Sequence, residues 1–278
     1  MEFDDHGQRM TSDWKNTLPL HIESVGIRSG QETISREHGY FCFHWLSTVT
    51  GCGAFSVHGQ TYRLNANEGI LIPANTPHRY LASGSHWTTW YLTFDGSLAT
   101  SIVASLAIPL AIPLQWDEDA PLADIHQQFG KRFYTSFDMV GPNGSLEVYS
   151  FLILLKQYAR VSGQPSFAKW HRKLTPLLIA IEEAYSNPNM GLAWMAQTLQ
   201  ISPQRVNSLF RSVFDISPYQ YVLQLRIVKS KEFLLSEPDR PIHDIAHRVG
   251  FYDASHFIST FRKFAGMTPE TFRRQHFG

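Results

Sequence analysis

The sequence predicts a multidomain α+β protein: an N-terminal β-barrel joined to two helices, then an all-α C-terminal domain with two helix-turn-helix units. Three observations carry this. First, the last hundred residues repeat a pattern. Phe210-Arg211, Ile216-Ser217-Pro218 and Tyr221 recur in kind as Phe261-Arg262, Met267-Thr268-Pro269 and Phe272, at a constant offset of 51 residues. Ala196 and Ile201 answer Ala246 and Phe251 at an offset of 50. Such a repeat means two copies of one supersecondary unit. Second, Gly39 to Asp95 is dense in Val, Ile, Thr, Tyr, Phe and Trp, with turn signals every few residues. Third, the zero net charge is divided. From His171 onward there are 13 Lys+Arg against 9 Asp+Glu, and the rest of the chain holds 11 against 15. A basic half beside an acidic half fits a nucleic-acid-binding domain joined to something else.

A chain of 278 residues makes one large or two ordinary domains. The expected boundaries are 1–116 for the barrel, 117–161 for the helical pair, 162–170 for a linker and 171–278 for the helical domain. Two cysteines, Cys42 and Cys52, build no disulfide framework, so a reducing compartment is expected. Met1 to Leu20 is polar and acidic and lacks the apolar core of a secretory signal. The most apolar run, Ile102 to Leu114, contains Pro109 and Pro113 and is too short to span a bilayer. A cytoplasmic, nucleoid-associated bacterial protein with no membrane partner is expected.

In the barrel, Ser56 to Tyr62 reads as a hairpin turning at His58-Gly59. Gly69 to Pro73 reads as a buried strand, and Pro73 to His78 as a turn into the next strand. Short strands at this spacing suggest a sandwich or a small barrel. Next, Pro121 to about Met139 and Ser145 to Val161 read as helices, with Gly141-Pro142-Asn143-Gly144 turning between them. Leu146, Tyr149, Ile153, Leu154 and Tyr158 form the apolar stripe of the second. These helices could pack on the barrel or pair with another subunit, and a homodimer through them is expected.

In the C-terminal half, Leu192 to Leu199 has helical spacing. Ser202-Pro203 opens the next helix, because the Ser oxygen caps free N–H groups and Pro suits the first helical position. That helix runs to about Phe214. Val206, Leu209, Phe210 and Val213 face the core, while Gln204, Arg205, Asn207, Ser208 and Arg211 lie opposite. Ser217-Pro218 opens a long helix to about Leu235, with Tyr221, Leu225, Val228 and Phe233 as its stripe. Ile242 to Val249 is the second unit's first helix, closed by Gly250. Asp253 caps the next, Ala254 to Phe264, with Phe257, Ile258, Phe261 and Phe264 inward and Ala254, Ser255, His256, Ser259 and Arg262 outward. Thr268-Pro269 opens a last helix ending near His276. Gln and Asn pair bidentately with adenine, and Arg with guanine or phosphate. The two polar faces are therefore candidates for DNA contact, beginning at Ser202 in the first unit.

Residues Leu174 to Phe277 resemble the AraC-type DNA-binding domain of the AraC/XylS family. The match is carried by Ile242, Ile245-Ala246 and Val249-Gly250-Phe251, then Asp253, Ser255 and Phe257, then Phe261-Arg262-Lys263, Gly266-Met267-Thr268-Pro269 and Phe272-Arg273. The resemblance implies that two recognition helices enter adjacent major-groove segments on one face of the duplex. Base contacts then fall to Gln204, Asn207 and Ser208 in the first unit and near Ser255, His256 and Ser259 in the second. The family usually has Arg where this chain has Ser259, so the first unit is expected to carry more of the specificity.

The N-terminal half resembles the cupin-like, arabinose-type sensor that precedes such domains. Glu68-Gly69, Ile72-Pro73, Pro77-His78, Trp87, Trp90 and Phe94-Asp95-Gly96 carry the likeness. It implies a pocket lined by Arg36, Tyr80, Thr89 and Tyr91, with His78, His44 and Trp45 as further candidates. A metallo-cupin enzyme needs two His and a carboxylate on one metal. The His-x-His motif is absent, and Cys42 with His44 is the weak substitute. No catalytic residue, metal or cofactor is expected.

The reading is a DNA-binding transcription regulator controlled by a small molecule, a sugar or related metabolite, with double-stranded DNA as its partner and RNA polymerase as a further candidate. The alternatives are a cupin metalloenzyme fused to a regulatory tail, and a regulator whose barrel only dimerises.

Overall fold

A computed structural model describes residues 17–133 and 138–277. The acidic start, residues 1–16, and the stretch 134–137 of the first expected middle helix lie outside the described residues. The strands are β1 (His21–Arg28), β2 (Ile34–Arg36), β3 (Phe43–Val57), β4 (Gln60–Asn65), β5 (Glu68–Ile72), β6 (His78–Asp95) and β7 (Pro113–Gln115). The helices are α1 (Ala99–Ser105), α2 (Ile125–Phe133), α3 (Pro142–Tyr158), α4 (Phe167–Ala184), α5 (Leu192–Leu199), α6 (Pro203–Phe214), α7 (Pro218–Ser236), α8 (Ile242–Arg248), α9 (Ala254–Ala265) and α10 (Pro269–Phe277). The chain divides into two compact units between Ala168 and Lys169. The first four residues of the expected linker, 162–165, precede a buried Ser166, and α4 begins at Phe167.

In the N-terminal unit the long strands β3 and β6 pair antiparallel from Phe43 with Phe94 to Val57 with His78. The register shifts between Thr48 and Thr50 and between Gly51 and Gly53. Such bulges bend a ladder and tighten its twist. Gly51 has φ +78°, and a Cβ there would sit 2.3 Å from the His86 carbonyl oxygen, so the bend requires glycine. On one side of the bend β1, β5 and β7 extend the pair; on the other, β2 and β4 do. The two halves share one core, in which Leu46, Ile70 and Ile72 meet Phe55, Leu64, Tyr80 and Trp87. That shared interior makes the bent sheet a barrel.

Side chains alternate across the sheet. Leu46 and Tyr91 join the barrel interior, whereas Trp45 and Trp90 join the opposite core with Val148, Phe151, Leu152 and Leu155 of α3 and Phe129 of α2. Phe151 meets Trp45 at 5.4 Å and Trp90 at 5.7 Å, so truncation to Ala costs about 3–5 kcal/mol. Trp45 is thus a helix-facing core residue and not a pocket member.

Three details differ from the sequence reading. Helix α2 begins at Ile125, residues 121–124 being turns. Gly141 caps α3 and Pro142 takes its first position, so Pro142-Asn143-Gly144 is helix and not a turn. The buried face of α3 is Val148, Phe151, Leu152 and Leu155, while Leu146 and Tyr149 point outward at 64% and 47% exposure. Apolar residues stand on several sides of this helix, so periodicity alone does not choose its face.

In the C-terminal unit, α4, α5, α6 and the start of α7 enclose one core, centred on Leu174, Leu177, Met195, Val206 and Phe210. The rest of α7 with α8 and α9 encloses a second, centred on Ile227, Leu234, Ile245, Phe257 and Phe261. Helix α7 therefore buries two different sides. Val222, Leu223, Ile227 and Leu234 are inward and Val228 is exposed, which replaces the single stripe expected. Buried Arg226 joins the two halves by donating from Nε to the Tyr185 carbonyl (2.8 Å) and from Nη2 to the Asn187 carbonyl (2.8 Å). In α9, Thr260 is buried, and Ile258 and Phe264 lie at the surface.

Candidate nucleic-acid interface and ligand site

The two recognition units begin with the same chemistry. Ser202 Oγ accepts from the Arg205 N–H (3.3 Å), and Asp253 Oδ1 accepts from the His256 N–H (2.7 Å). Ser217 and Gln220 form a capping box at the start of α7. The turns end in left-handed residues: Gln200 and Asp215 in the first unit, Gly250 and Gly266 in the second. These caps fix the angle at which α6 and α9 leave their turns.

On α6, Ser202, Gln204, Arg205, Ser208 and Arg211 are exposed, and Asn207 is half-buried. On α9, Ser255, His256, Ser259 and Arg262 are exposed and Ala254 is half-buried. Besides the capping Ser202, three of these are already engaged. The Arg205 guanidinium lies over the Trp170 ring, 5.0 Å from its centroid. His256 packs edge-on against Phe251 at 5.2 Å. Ser259 Oγ donates back to the His256 carbonyl (3.0 Å). Gln204, Ser208 and Arg211 extend from one exposed face of α6 as the spacing predicts.

In the barrel, the structure brings Arg36, His44, His78 and Tyr80 together. Arg36 Nη1 lies 3.0 Å from His44 Nδ1 and 3.4 Å from His78 Nε2, and the two ring nitrogens are 3.3 Å apart. His78 Nδ1 donates to the Thr76 carbonyl (2.7 Å), so its Nε2 is an acceptor. The network is satisfied when both imidazoles turn lone pairs toward the guanidinium. Burial, then the Arg36 cation, then His78 hold the His44 pKa well below the ordinary histidine range. Burial lowers His78 as well, with Arg36 a smaller cause in the same direction. Tyr80 stacks on Phe55 (5.5 Å) and on His78 (6.1 Å), and burial raises its phenol pKa.

Arg36 also lies over Tyr40, 4.4 Å from the ring centroid. The Tyr40 hydroxyl donates to Glu23 Oε2 (2.8 Å), which also accepts from Thr93 Oγ1 (2.7 Å). Sequence reasoning missed Glu23 and Tyr40. Glu23 meets Thr93 through the pairing of β1 with β6, some seventy residues on, and no local spacing announces that.

An open cleft of about 390 Å³, between Ser35–Glu37, Ser56–Gly59 and Pro77–Arg79, is bordered by Arg36 and the buried His78. Thr89 is fully buried, donating to Gln31 Oε1 (2.7 Å), and Tyr91 lies against Gly26; these two line neither the cleft nor the Arg36 cluster, whereas His44 and Tyr80 lie behind the cleft in contact with Arg36 or His78. Cys42 Sγ donates to the Phe43 carbonyl (3.6 Å). Among the described residues no group of three or more His, Cys, Asp or Glu side chains could hold a metal ion. Nor, among them, is any helix long and apolar enough to cross a membrane.

Comparison with known proteins adds two domain matches. Residues 195–275 match a helix-turn-helix domain, and residues 21–134 an AraC-like ligand binding domain. The chain is 30% identical over 263 residues to an uncharacterised HTH-type transcriptional regulator, YdeC, of Bacillus subtilis, covering 86% of this chain and 88% of that one. It is 24% identical over 243 residues to the Msm operon regulatory protein of Streptococcus mutans, covering 84% of each. It is 34% identical over 93 residues to the arabinose operon regulatory protein of Escherichia coli, covering 34% of this chain and 32% of that one.

Proposed function

The chain belongs to the AraC/XylS family of DNA-binding transcriptional regulators, not to an enzyme family, and we propose that its N-terminal barrel is controlled by a sugar or a related polyhydroxylated metabolite. The observation that carries this reading is the buried cluster of Arg36, His44, His78 and Tyr80, extended by Tyr40 and Glu23. Sugar hydroxyls both donate and accept. Here Arg36 offers donors, and Glu23 and two imidazole nitrogens offer acceptors. Tyr40, Tyr80 and Phe55 offer the flat apolar faces on which sugar C–H surfaces stack. The cleft that Arg36 and His78 border, with the other cluster residues behind it, falls within the ~300–1,000 Å³ of small-molecule sites. A relative named for the arabinose operon agrees with that class.

In this reading the effector binds one arrangement of the regulator more tightly and shifts the population toward it. The helix pair at 117–161 joins two copies, α6 and α9 contact DNA on the bacterial nucleoid, and RNA polymerase is the downstream partner. Gln204, Asn207 and Ser208 read bases in the first unit. Ser255, His256 and Ser259 do so less strongly in the second, where no long cation stands at 259.

Thermal shift of the full chain across a panel of pentoses, hexoses, disaccharides and polyols tests the effector class. At least one compound stabilises the wild type, and Arg36→Ala loses that shift while still binding DNA. If no compound stabilises the protein, the barrel is a packing and dimerisation module. If Arg36→Ala keeps the shift, Arg36 is not part of the site.

A further inference from the structure

We infer that Trp170, Lys173 and Arg205 form a preassembled phosphate-binding platform beside the first recognition helix, a third DNA contact that supplies affinity without sequence information. The inference rests on the reading of α6 as a recognition helix and adds a contact outside it.

The platform joins two elements. Trp170 begins the buried stripe of α4 that continues through Leu174, Leu177 and Ile181. That packing fixes its indole next to the first turn of α6. Arg205 stands in that turn, three residues after the Ser202 cap. Its side chain turns back toward α4, with its guanidinium 5.0 Å from the indole centroid. The Lys173 ammonium lies 5.5 Å from the same centroid. One ring therefore gathers two exposed cations from different helices.

Three cations elsewhere in the domain are neutralised by carboxylates, whereas those of the platform are not. Lys229 pairs with Glu182 (2.6 Å), Arg248 with Glu237 (2.7 Å), and Arg240 also with Glu237. Among the described residues no carboxylate lies within ion-pair reach of Lys173, Arg205 or their exposed neighbour Arg172. The first turn of α6 carries no acidic residue either, so its N–H groups add to the positive field. Two like charges on one ring repel, and an anion between them relieves that repulsion.

The geometry suits phosphate. The Arg205 guanidinium, held over the indole and without a carboxylate partner, has N–H donors for bidentate bonding to phosphate oxygens. An ammonium accepts a phosphate as a point charge. Because the indole already orders both side chains, less entropy is lost on binding. The fold-back also separates Arg205 from the base-edge readers. Gln204 and Ser208 project from the face of α6, whereas Arg205 projects along its flank, where a duplex inserted on α6 presents its backbone.

The test uses the full chain, a duplex selected from random oligonucleotides and a duplex of random sequence, titrated at several salt concentrations. Lys173→Gln and Arg205→Gln each lower the log–log salt slope by about 0.9, as loss of one phosphate contact requires. Both weaken the selected and the random duplex by the same factor. Lys229→Gln, whose ammonium is paired with Glu182, leaves the slope unchanged. Trimming the selected duplex on the flank beside α6 removes the difference between wild type and variants. An unchanged slope in both variants overturns the inference. So does a loss confined to the selected duplex in Arg205→Gln, which would make Arg205 a base reader. Normal DNA binding with lost transcription would make the platform a protein-docking site and also overturn it. Failure of the parent reading looks different: the wild type itself then shows no preference for the selected duplex.

Discussion

Arg36 Nη1 stands 3.0 Å from His44 Nδ1 and 3.4 Å from His78 Nε2, so a cation faces the lone pairs of both imidazoles. Burial of the two imidazoles, and after it this contact, makes the barrel's stability dependent on pH. His44 and His78 both have folded pKa values depressed from the ordinary 6.5. The unfolded chain then binds more protons than the folded one in the window below about pH 6.5, so stability falls as pH falls through it. Above that window both states hold neutral imidazoles and the term is fully present. Thermal unfolding between pH 7.5 and pH 5 therefore shows a falling midpoint, and His44→Gln flattens the fall. A midpoint that rises on acidification, or a slope unchanged in His44→Gln, contradicts the burial of a neutral His44 beside Arg36.

Base reading by the first unit predicts selective losses. Gln204→Ala and Asn207→Ala each weaken a selected duplex by about 1–3 kcal/mol and bulk DNA far less. Binding assays on both duplexes check this. Equal losses on the two would remove these residues from base readout.

The internal repeat predicts a stabilising substitution. Gln200 has φ +54° at the place where the second unit has Gly250, and it is exposed. A non-glycine residue in that conformation costs about 1–2 kcal/mol. Gln200→Gly removes most of that cost, offset in part by greater freedom in the unfolded chain, for a net gain of about 0.5–1 kcal/mol. Urea denaturation followed in the C-terminal domain measures it; a loss of stability would mean that the Gln200 side chain makes an unseen contact.

The outward face of α3 predicts the assembly. Leu146 and Tyr149 are one turn apart and exposed at 64% and 47%. A second copy covering them gives a dimer. Sedimentation of the wild type then reports a dimer at micromolar concentration, and Leu146→Glu with Tyr149→Glu reports a monomer. A wild type that stays monomeric at high micromolar concentration removes this face as the interface.

Local chemistry was legible in the sequence, and chain-distant geometry was not. The caps at Ser202, Ser217 and Asp253 and the glycine closure at Gly250 could be read because each acts within three or four residues. The hairpin at His58-Gly59 could be read for the same reason. Periodicity failed on α3 and α7. One carries apolar residues on several sides and the other serves two cores, so neither has a single stripe to find. In the barrel, Arg36, His78 and Tyr80 came from family likeness, and the structure gathers them. Glu23 and Tyr40 escaped because sheet pairing alone brings them together. Thr89 and Tyr91 have the right strand parity, yet they sit away from the open cleft.

Selection of duplexes from a random-sequence pool by the full chain addresses the whole account most directly. Two recognition helices side by side predict an enriched site with two short informative segments about 10 base pairs apart, the first more sharply defined. A well-folded protein that enriches no sequence, or a site with a single informative segment, would contradict it.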